Sequence, residues 1–266
     1  MTPLEVLYEA GGLPAFDLPD ELRADYGGPF GLNEPRLYAN FVETIDGVTA
    51  IPSIPGSNKL VAAGSTSDRF VMGLLRACAD AHLVGSGTLI ASPRSVWTPE
   101  QAYPDATDAF AELRRRLGRP PNAELVILSG SGRVDPAHPA FAAGALVLTS
   151  DAGASRLEGR LPAAATVLSL GPDETLAAHA IVAALRDRGH RLILSEGGPR
   201  VIGSFLQAGV VDELFLTISP RLVGRTPLDE RFGLVEGADL IPAGPVDGRL
   251  LGVRRDGDHL FLRYEF

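Results

Sequence analysis

The fold class is decided by one stretch of the chain, RLILSEGGPR at residues 191–200. An apolar run leads into the pair Gly197 and Gly198, and Pro199 then suits the first position of a helix. Free amides and the positive end of a helix dipole at such a turn favour an anion, so a phosphate or pyrophosphate fits there. A tight turn also needs glycines for its own geometry, so the stretch alone leaves both interpretations open. Its glycine spacing and late position differ from the dinucleotide fingerprint of Rossmann domains.

Outward from this stretch, short apolar runs alternate with helical patterns. The predicted strands are 36–44, 81–85, 124–128, 145–149, 166–170, 191–194 and 213–219, and the predicted helices are 67–79, 105–117, 175–188 and 200–207. Several strands are apolar throughout, which is typical of a sheet covered by helices on both faces. Residues 249–254 and 259–266 indicate a C-terminal β-hairpin. The sequence predicts an α/β fold in one domain, 36–266, preceded by an extension, 1–35, with at most one short helix near residues 2–10.

Composition and charge exclude several classes of protein. The net charge of −9 argues against a general binder of nucleic acid, and we expect the basic run Arg114–Arg116 on a solvated helix face. The single cysteine, Cys78, excludes an internal disulfide and is typical of a packed core thiol in a reducing compartment. The histidines lack metal-ligand spacing, so no metal site is expected. The first ten residues lack the order of a signal peptide, no apolar run has membrane-spanning length, and the expected location is the cytoplasm.

Two further glycine-rich turns follow predicted strands, at residues 83–88 (LVGSGT) and 128–133 (LSGSGR). Three such turns suggest one extended ligand. Hydroxyl groups and an arginine suit phosphate oxygens, so the turn at residues 128–133 could hold the extra 2′-phosphate of NADP. Each turn taken separately is equally typical of an ordinary solvated loop.

Polar residues also mark the end of the first predicted strand, in NFVETIDG at residues 40–47. Alternation along the strand places Asn40, Val42 and Thr44 on one face. Asp46 before a glycine is either a turn acid or a substrate ligand, and the pattern leaves both open. Glu196 beside an anion-binding turn is electrostatically unfavourable unless it points to the substrate, so we interpret it as substrate-facing.

In order along the chain, these motifs resemble a known family, the reductase domain of bacterial riboflavin biosynthesis, which shares the dihydrofolate reductase fold. The resemblance covers about residues 36–266 and depends on the motifs TIDG at 44–47, LRACAD at 75–80, VGSGT at 84–88, EGGP at 196–199, VDEL at 211–214 and SPRLVG at 219–224. It implies a mixed, mostly parallel sheet flanked by helices, a homodimer, and hydride transfer from NADPH to 5-amino-6-(5-phosphoribosylamino)uracil or a related pyrimidine or pterin compound.

The resemblance also implies roles for individual residues. Glu196 is the catalytic candidate, for the proton or for the polar edge of the substrate. The substrate would contact Asn40, Thr44, Asp46, Arg76 and Glu196. The cofactor would contact Val42, Gly87, Thr88, Ser92, Ser129, Ser131, Arg133, Gly197, Gly198, Pro199, Arg200, Val201, Ile202, Gly203 and Ser204, with Thr149 and Ser150 alongside the 2′-phosphate.

This chain departs from the family pattern in three places. Bacterial members usually carry lysine where Asn40 stands, whereas archaeal-type members resemble this chain. After the VGSGT motif, the usual Asp-Asp-Pro is replaced by Ala91, Ser92 and Pro93, and the insertion 96–104 could reshape the pocket. Two alternatives therefore stay open, a dihydrofolate reductase-like activity on folates and a non-catalytic NADPH-binding module.

Overall fold

The computed structural model describes residues 1–54, 56–227 and 229–266. Its strands are β1 (Glu5–Glu9), β2 (Arg36–Thr44), β3 (Ala81–Gly85), β4 (Glu124–Leu128), β5 (Leu146–Thr149), β6 (Thr166–Ser169), β7 (Leu192–Ser195), β8 (Glu213–Ser219), β9 (Arg249–Asp256) and β10 (His259–Glu265). Its α-helices are α1 (Asp20–Tyr26), α2 (Asn58–Val61), α3 (Thr66–Cys78), α4 (Ser86–Ala91), α5 (Pro99–Ala102), α6 (Thr107–Arg116), α7 (Pro139–Ala142), α8 (Asp151–Leu157), α9 (Ala178–Asp187) and α10 (Pro199–Gln207).

All ten strands belong to one sheet, in the order β1-β9-β10-β8-β2-β7-β3-β4-β5-β6. The strands from β8 to β6 are parallel to one another, and β10, β9 and β1 are added antiparallel at the β8 edge. The predicted mixed, mostly parallel sheet with flanking helices and a C-terminal hairpin is confirmed. Most predicted strand and helix bounds agree with the structure within two residues, because apolar runs and turn glycines mark them clearly.

Both faces of the sheet are covered, as the apolar strands predict. On one face, α3 and α6 pack with the amino-terminal residues in a core that includes Tyr38, Phe70 and Phe215. On the other face, α9 and α10 pack against residues such as Ile193 and Leu216. Alternation along β2 and β7 therefore directs Tyr38, Asn40, Leu194 and Glu196 toward α3. This face carries the candidate site.

The amino-terminal residues differ from the sequence-based expectation. The segment near residues 2–10 forms strand β1, which pairs with β9, and the helix of this region is α1 at Asp20–Tyr26. The predicted helix near residues 2–10 is therefore wrong. Pairing with β9 satisfies the backbone of a segment whose side chains are all exposed, a tertiary contact that local pattern does not encode.

The arginine run at the end of α6 corrects a second expectation. Arg115 and Arg116 pair with Glu112 at the surface, but Arg114 is buried and its Nη1 donates to the carbonyl oxygens of Ala77 and Ala79 at 3.1 and 2.8 Å. The solvated-face interpretation is therefore wrong for Arg114. A buried guanidinium caps the carboxyl end of α3, where helix carbonyls lack partners, and this fixes the turn that carries Arg76.

Cys78 is buried, and burial raises the pKa of its thiol to about 12, as expected for a packed core thiol. Within residues 1–54, 56–227 and 229–266, no helix is long and apolar enough to cross a membrane.

Candidate active site

Strand order brings the candidate residues to one place. Because β2, β7 and β3 are parallel neighbours, their carboxyl ends meet at one edge of the sheet, the usual position of a ligand site in α/β sheets. Asn40 stands on β2, Glu196 follows β7, and His82 stands on β3. Arg76, in the last turn of α3, lies over them from the helical layer.

Glu196 is the centre of this cluster. Its Oε2 accepts from Arg76 Nη2 at 2.6 Å and from Arg76 Nε at 3.2 Å, and its Oε1 accepts from Asn40 Nδ2 at 3.1 Å. His82 Nε2 lies 3.0 Å from Glu196 Oε2, although the ring N–H is not aligned for a hydrogen bond. The side chains of Arg76 and Glu196 are 7% and 9% exposed. The carboxylate is therefore nearly enclosed.

The charge of Glu196 follows from these neighbours. Burial alone would raise its pKa, but the charges of Arg76 and His82, and the hydrogen bonds from Arg76, hold the pKa well below the ordinary value. Glu196 is thus a carboxylate throughout the neutral range. A group in this state accepts hydrogen bonds and does not store a proton for donation.

Thr44 and Asp46 lie further along the same strand end and bind each other. Thr44 Oγ1 donates to Asp46 Oδ1 at 2.5 Å, and Asp46 Oδ2 accepts from the amide of Gly224 at 2.7 Å. The hydrogen bond from Thr44 and the backbone amides lower the pKa of Asp46. These bonds tie the turn after β2 to the loop at 223–224, as expected of a turn acid, and a direct substrate contact for either residue stays a prediction.

The glycine turn after β7 lies against the first residues of α4. A Cβ on Gly198 would be 3.7 Å from Thr88 Oγ1, and a Cβ on Gly85 would be 3.2 Å from Val201 Cγ2. Within the described part of the chain, the amides of Gly197 and Gly198 make no hydrogen bond. The turns 85–88 and 196–199 thus form one surface where two helices begin, with open space over Gly87 and with Val42 on a nearby strand.

The residues of α10 that were predicted to contact the cofactor differ in their exposure to solvent. Arg200 is exposed over the ring of Phe232, at 5.3 Å from guanidinium carbon to ring centroid. Ile202 lies in the core, and Gly203 packs so closely that a Cβ would be 2.7 Å from the carbonyl oxygen of Glu236. Ser204 is exposed, more than one turn from the helix start. The amphipathic period of a helix therefore restricts accessible contacts to its first residues.

The turn after β4 is packed by its neighbours. Ser129 is buried, and its carbonyl oxygen accepts from Thr149 Oγ1 at 2.6 Å. Ser150 Oγ accepts from the amide of Gly153 at 3.0 Å and so caps α8. Arg133 is exposed, and the guanidinium of Arg156 donates to the carbonyl oxygen of Ser131. The guanidinium groups of Arg133 and Arg156 thus both lie at this turn, and only that of Arg133 was predicted from the sequence.

The sequence analysis missed His82 and the backbone that holds it. His82 was considered only as a metal ligand, yet it is the one polar side chain in the otherwise apolar strand β3, which was the available signal. Its Nδ1 lies 3.2 Å from the carbonyl oxygen of Trp97. The carbonyl oxygen of Thr98 accepts from Arg76 Nη1 at 3.3 Å, so the insertion after α4 contacts the cluster directly. Ser92, the C-cap of α4, precedes this insertion.

Comparisons with known proteins identify relatives of this arrangement. The family model described as the RibD C-terminal domain matches residues 35–252. The 2,5-diamino-6-ribosylamino-4(3H)-pyrimidinone 5′-phosphate reductase of Archaeoglobus fulgidus is 27% identical over 199 residues, which cover 71% of this chain and 82% of the relative.

Solved structures share the fold. A pyrimidine reductase-like protein from Corynebacterium diphtheriae aligns with a TM-score of 0.65 and 24% identity, over 94% of this chain and 95% of that one. A diaminohydroxyphosphoribosylaminopyrimidine deaminase/5-amino-6-(5-phosphoribosylamino)uracil reductase from Thermotoga maritima aligns with a TM-score of 0.63 and 20% identity, over 87% of this chain and 56% of that one. The chain thus spans about half of this longer protein.

Proposed function

Since this chain belongs to the family of the RibD C-terminal domain, we propose that it is a reductase that uses NADPH to reduce a phosphoribosylamino-pyrimidine. The preferred acceptors are 5-amino-6-(5-phosphoribosylamino)uracil and its 2,5-diamino-pyrimidinone counterpart. The names of the Archaeoglobus and Thermotoga relatives support this substrate class.

The observation that carries this proposal is the Glu196 carboxylate beside the glycine turn. Asn40 and Arg76 hold it from two elements, and its position after β7 puts it next to Gly197 and Gly198. A fixed carboxylate suits the N–H and O–H groups of an aminopyrimidine or a ribityl chain. Asn40 Oδ1 makes no hydrogen bond within the described residues, so it adds an acceptor, and Asn40 is the residue that archaeal-type members share.

The glycine turn fits a dinucleotide pyrophosphate. The unpaired amides of Gly197 and Gly198 are donors, Pro199 leaves the helix start without a competing N–H, and a Cβ on Gly198 would meet only the Thr88 hydroxyl, at the ordinary contact distance of 3.7 Å. Ser131, Arg133 and Arg156 provide hydroxyl and guanidinium donors on the neighbouring turn, which suit a 2′-phosphate. Binding of NADPH in preference to NADH follows from these charges.

When it is bound, NADPH supplies the hydride, so the chain has to hold the acceptor and provide for one proton. Glu196 is assigned to orientation of the substrate, because its lowered pKa makes it an acceptor and a poor proton donor. Arg76 holds the carboxylate and keeps it charged. Burial of Arg76 and Glu196 limits the access of water to the carboxylate.

The test is an NADPH-oxidation assay that compares the two phosphoribosylamino-pyrimidines with dihydrofolate. Oxidation with a pyrimidine and none with dihydrofolate supports the proposal, and the reverse preference would support the folate alternative. NADPH binding without oxidation of any acceptor would instead favour a binding module. A Glu196→Gln variant should lose kcat/KM for the pyrimidine while it keeps its NADPH affinity; full turnover with unchanged pH dependence would contradict the role of Glu196.

Cofactor preference and assembly need separate tests. Arg156→Ala should weaken binding of NADPH and leave that of NADH unchanged, since the lost guanidinium would bind the 2′-phosphate, which NADH lacks; equal weakening of both would remove this assignment. We also propose a homodimer in the cytoplasm, on the basis of family resemblance, and light scattering coupled to size-exclusion chromatography tests the assembly.

A further inference from the structure

The segment that follows α4 contacts Arg76 and His82, two of the side chains around Glu196. We define it as the 92–103 segment, Ser92–Tyr103, which includes α5. The carbonyl oxygen of Trp97 faces His82 Nδ1 at 3.2 Å, and the carbonyl oxygen of Thr98 accepts from Arg76 Nη1 at 3.3 Å. Consecutive backbone carbonyls thus reach two side chains that converge on the same carboxylate.

Trp97 has a backbone conformation that requires support. Its φ is +53°, in the left-handed region that a bulky residue rarely adopts, and its side chain is buried. The indole stacks on the His138 ring, with centroids 5.7 Å apart and planes 24° apart. The amide of Ala140 donates to His138 Nδ1 at 3.2 Å, which leaves Nε2 as the donor to the carbonyl oxygen of Ser92.

A single exposed side chain holds the turn from outside. Gln101 Oε1 accepts from the amides of Val96 and Trp97, at 2.8 and 3.0 Å, and from Ser95 Oγ at 2.9 Å. Its Nε2 donates to the carbonyl oxygen of Arg94 at 3.2 Å. Three donors converging on one amide oxygen fix the direction of the peptide that presents the Trp97 carbonyl.

We propose that the 92–103 segment is a positioning element for the reaction, in which Trp97 and Gln101 orient His82 and Arg76 and thereby fix the Glu196 carboxylate for the substrate. Neither residue touches the substrate in this scheme. The inference rests on the proposed function for its kinetic consequence, while its effect on Glu196 is independent of any activity.

The charged groups around Glu196 determine how its pKa should change if the 92–103 segment no longer holds His82 and Arg76. Arg76 from α3 and His82 from β3 face Glu196 directly. Asp68, about two turns before Arg76 on α3, interacts with Glu196 through its charge. If the carbonyls of the segment release His82 and Arg76, the attraction that lowers the pKa of Glu196 weakens while burial continues to raise it. The pKa then moves upward, and the acidic limb of the pH profile of kcat/KM moves to higher pH with it.

The decisive variant is Gln101→Ala, because Gln101 is exposed and its removal leaves the core intact. We expect kcat/KM for the pyrimidine to fall about 10- to 100-fold, with unchanged NADPH affinity and the acidic limb shifted upward. Gln101→Glu keeps the oxygen acceptor and should restore most of the rate. Glu100→Ala, on the same short helix and without a hydrogen bond or ion pair among the described residues, is the matched control.

A second readout needs no substrate. In protein carrying ¹³C-labelled glutamate, the Glu196 carboxyl resonance, assigned with Glu196→Gln, should titrate at higher pH in Gln101→Ala than in the parent. If the titration moves but the parent protein reduces no pyrimidine, the proposed function fails and the positioning role stands. If the titration and the pH profile of Gln101→Ala both match the parent, the positioning role is refuted.

Discussion

Gly198→Ala separates the stability of the glycine turn from its proposed use. Gly198 has φ −65° and ψ 178°, which alanine adopts without strain, and the new Cβ would lie 3.7 Å from Thr88 Oγ1, an ordinary contact. Alanine is a poorer N-cap than glycine, by up to about 1 kcal/mol, but it reduces the entropy of the unfolded chain, which offsets about 0.4–1 kcal/mol of this loss. The free energy of unfolding should therefore change by less than about 1 kcal/mol.

The cofactor should respond much more strongly. A methyl group on Gly198 would separate a bound phosphate from the amides of Gly197 and Gly198. Loss of one hydrogen bond to a charged group is worth about 1.5–3 kcal/mol, which corresponds to an increase of about 10- to 150-fold in the Kd for NADPH. Isothermal titration calorimetry measures the Kd, and urea unfolding measures the stability.

The control and the refuting outcome follow from the same geometry. Gly11→Ala also places a Cβ in open space, in a loop remote from the candidate site, and should change neither quantity. If Gly198→Ala keeps its stability and binds NADPH as tightly as the parent, the pyrophosphate does not lie on this turn. If the Gly198→Ala variant unfolds, the inference that Gly198 has room for a Cβ is wrong.

Three further predictions concern stability. Glu196→Gln removes one charge of a buried pair 2.6 Å apart and should lower the free energy of unfolding by about 3–5 kcal/mol in urea; an unchanged midpoint would contradict a net attraction at this site. Gly130→Ala would place a Cβ 1.7 Å from the carbonyl oxygen of Glu174, so the backbone must shift and Tm should fall, whereas Gly87→Ala, with open space, should keep its Tm. Hydrogen bonds from His190 and Arg188 lower the pKa of Glu124 from 4.5 to about 2, so its stabilisation is complete above pH 4.5 and is lost as pH falls toward 2; the stability difference between the parent and Glu124→Gln should shrink over that range, and a constant difference would refute the linkage.

The candidate site could be predicted in part because its motifs are local. Glu196 and the glycine turn are adjacent in sequence, and the position of Asn40 on the inward face of β2 follows from alternation. Arg76 lies 120 positions from Glu196, and only the resemblance linked the two. The 2′-phosphate turn was found through Ser131 and Arg133, but Arg156 was not, because it reaches that turn from a different helix.

Errors arose where tertiary contacts override local preference. The polar run Arg114–Arg116 favours a solvated face. Arg114 is nevertheless buried, because its guanidinium donates hydrogen bonds to carbonyl oxygens at the end of α3 that would otherwise lack partners. The amino-terminal segment lacks a clear strand pattern, and β9 supplies the partner that makes it a strand. Neither partner is near in sequence, so no window of neighbouring residues contains the information.

By itself, the amino-acid sequence determined the α/β class, the approximate bounds of nine of the ten strands and of the four longest helices, the glycine turns and the acid beside one of them, since each depends on residues a few positions apart. The tertiary structure alone decided the charge and surroundings of Glu196. A carboxylate has its pKa set by what desolvates it and by which charges lie within a few ångströms, and those neighbours come from β2, α3 and β3. The role of His82, and of the Trp97 carbonyl that faces it, depends on that same convergence of distant segments.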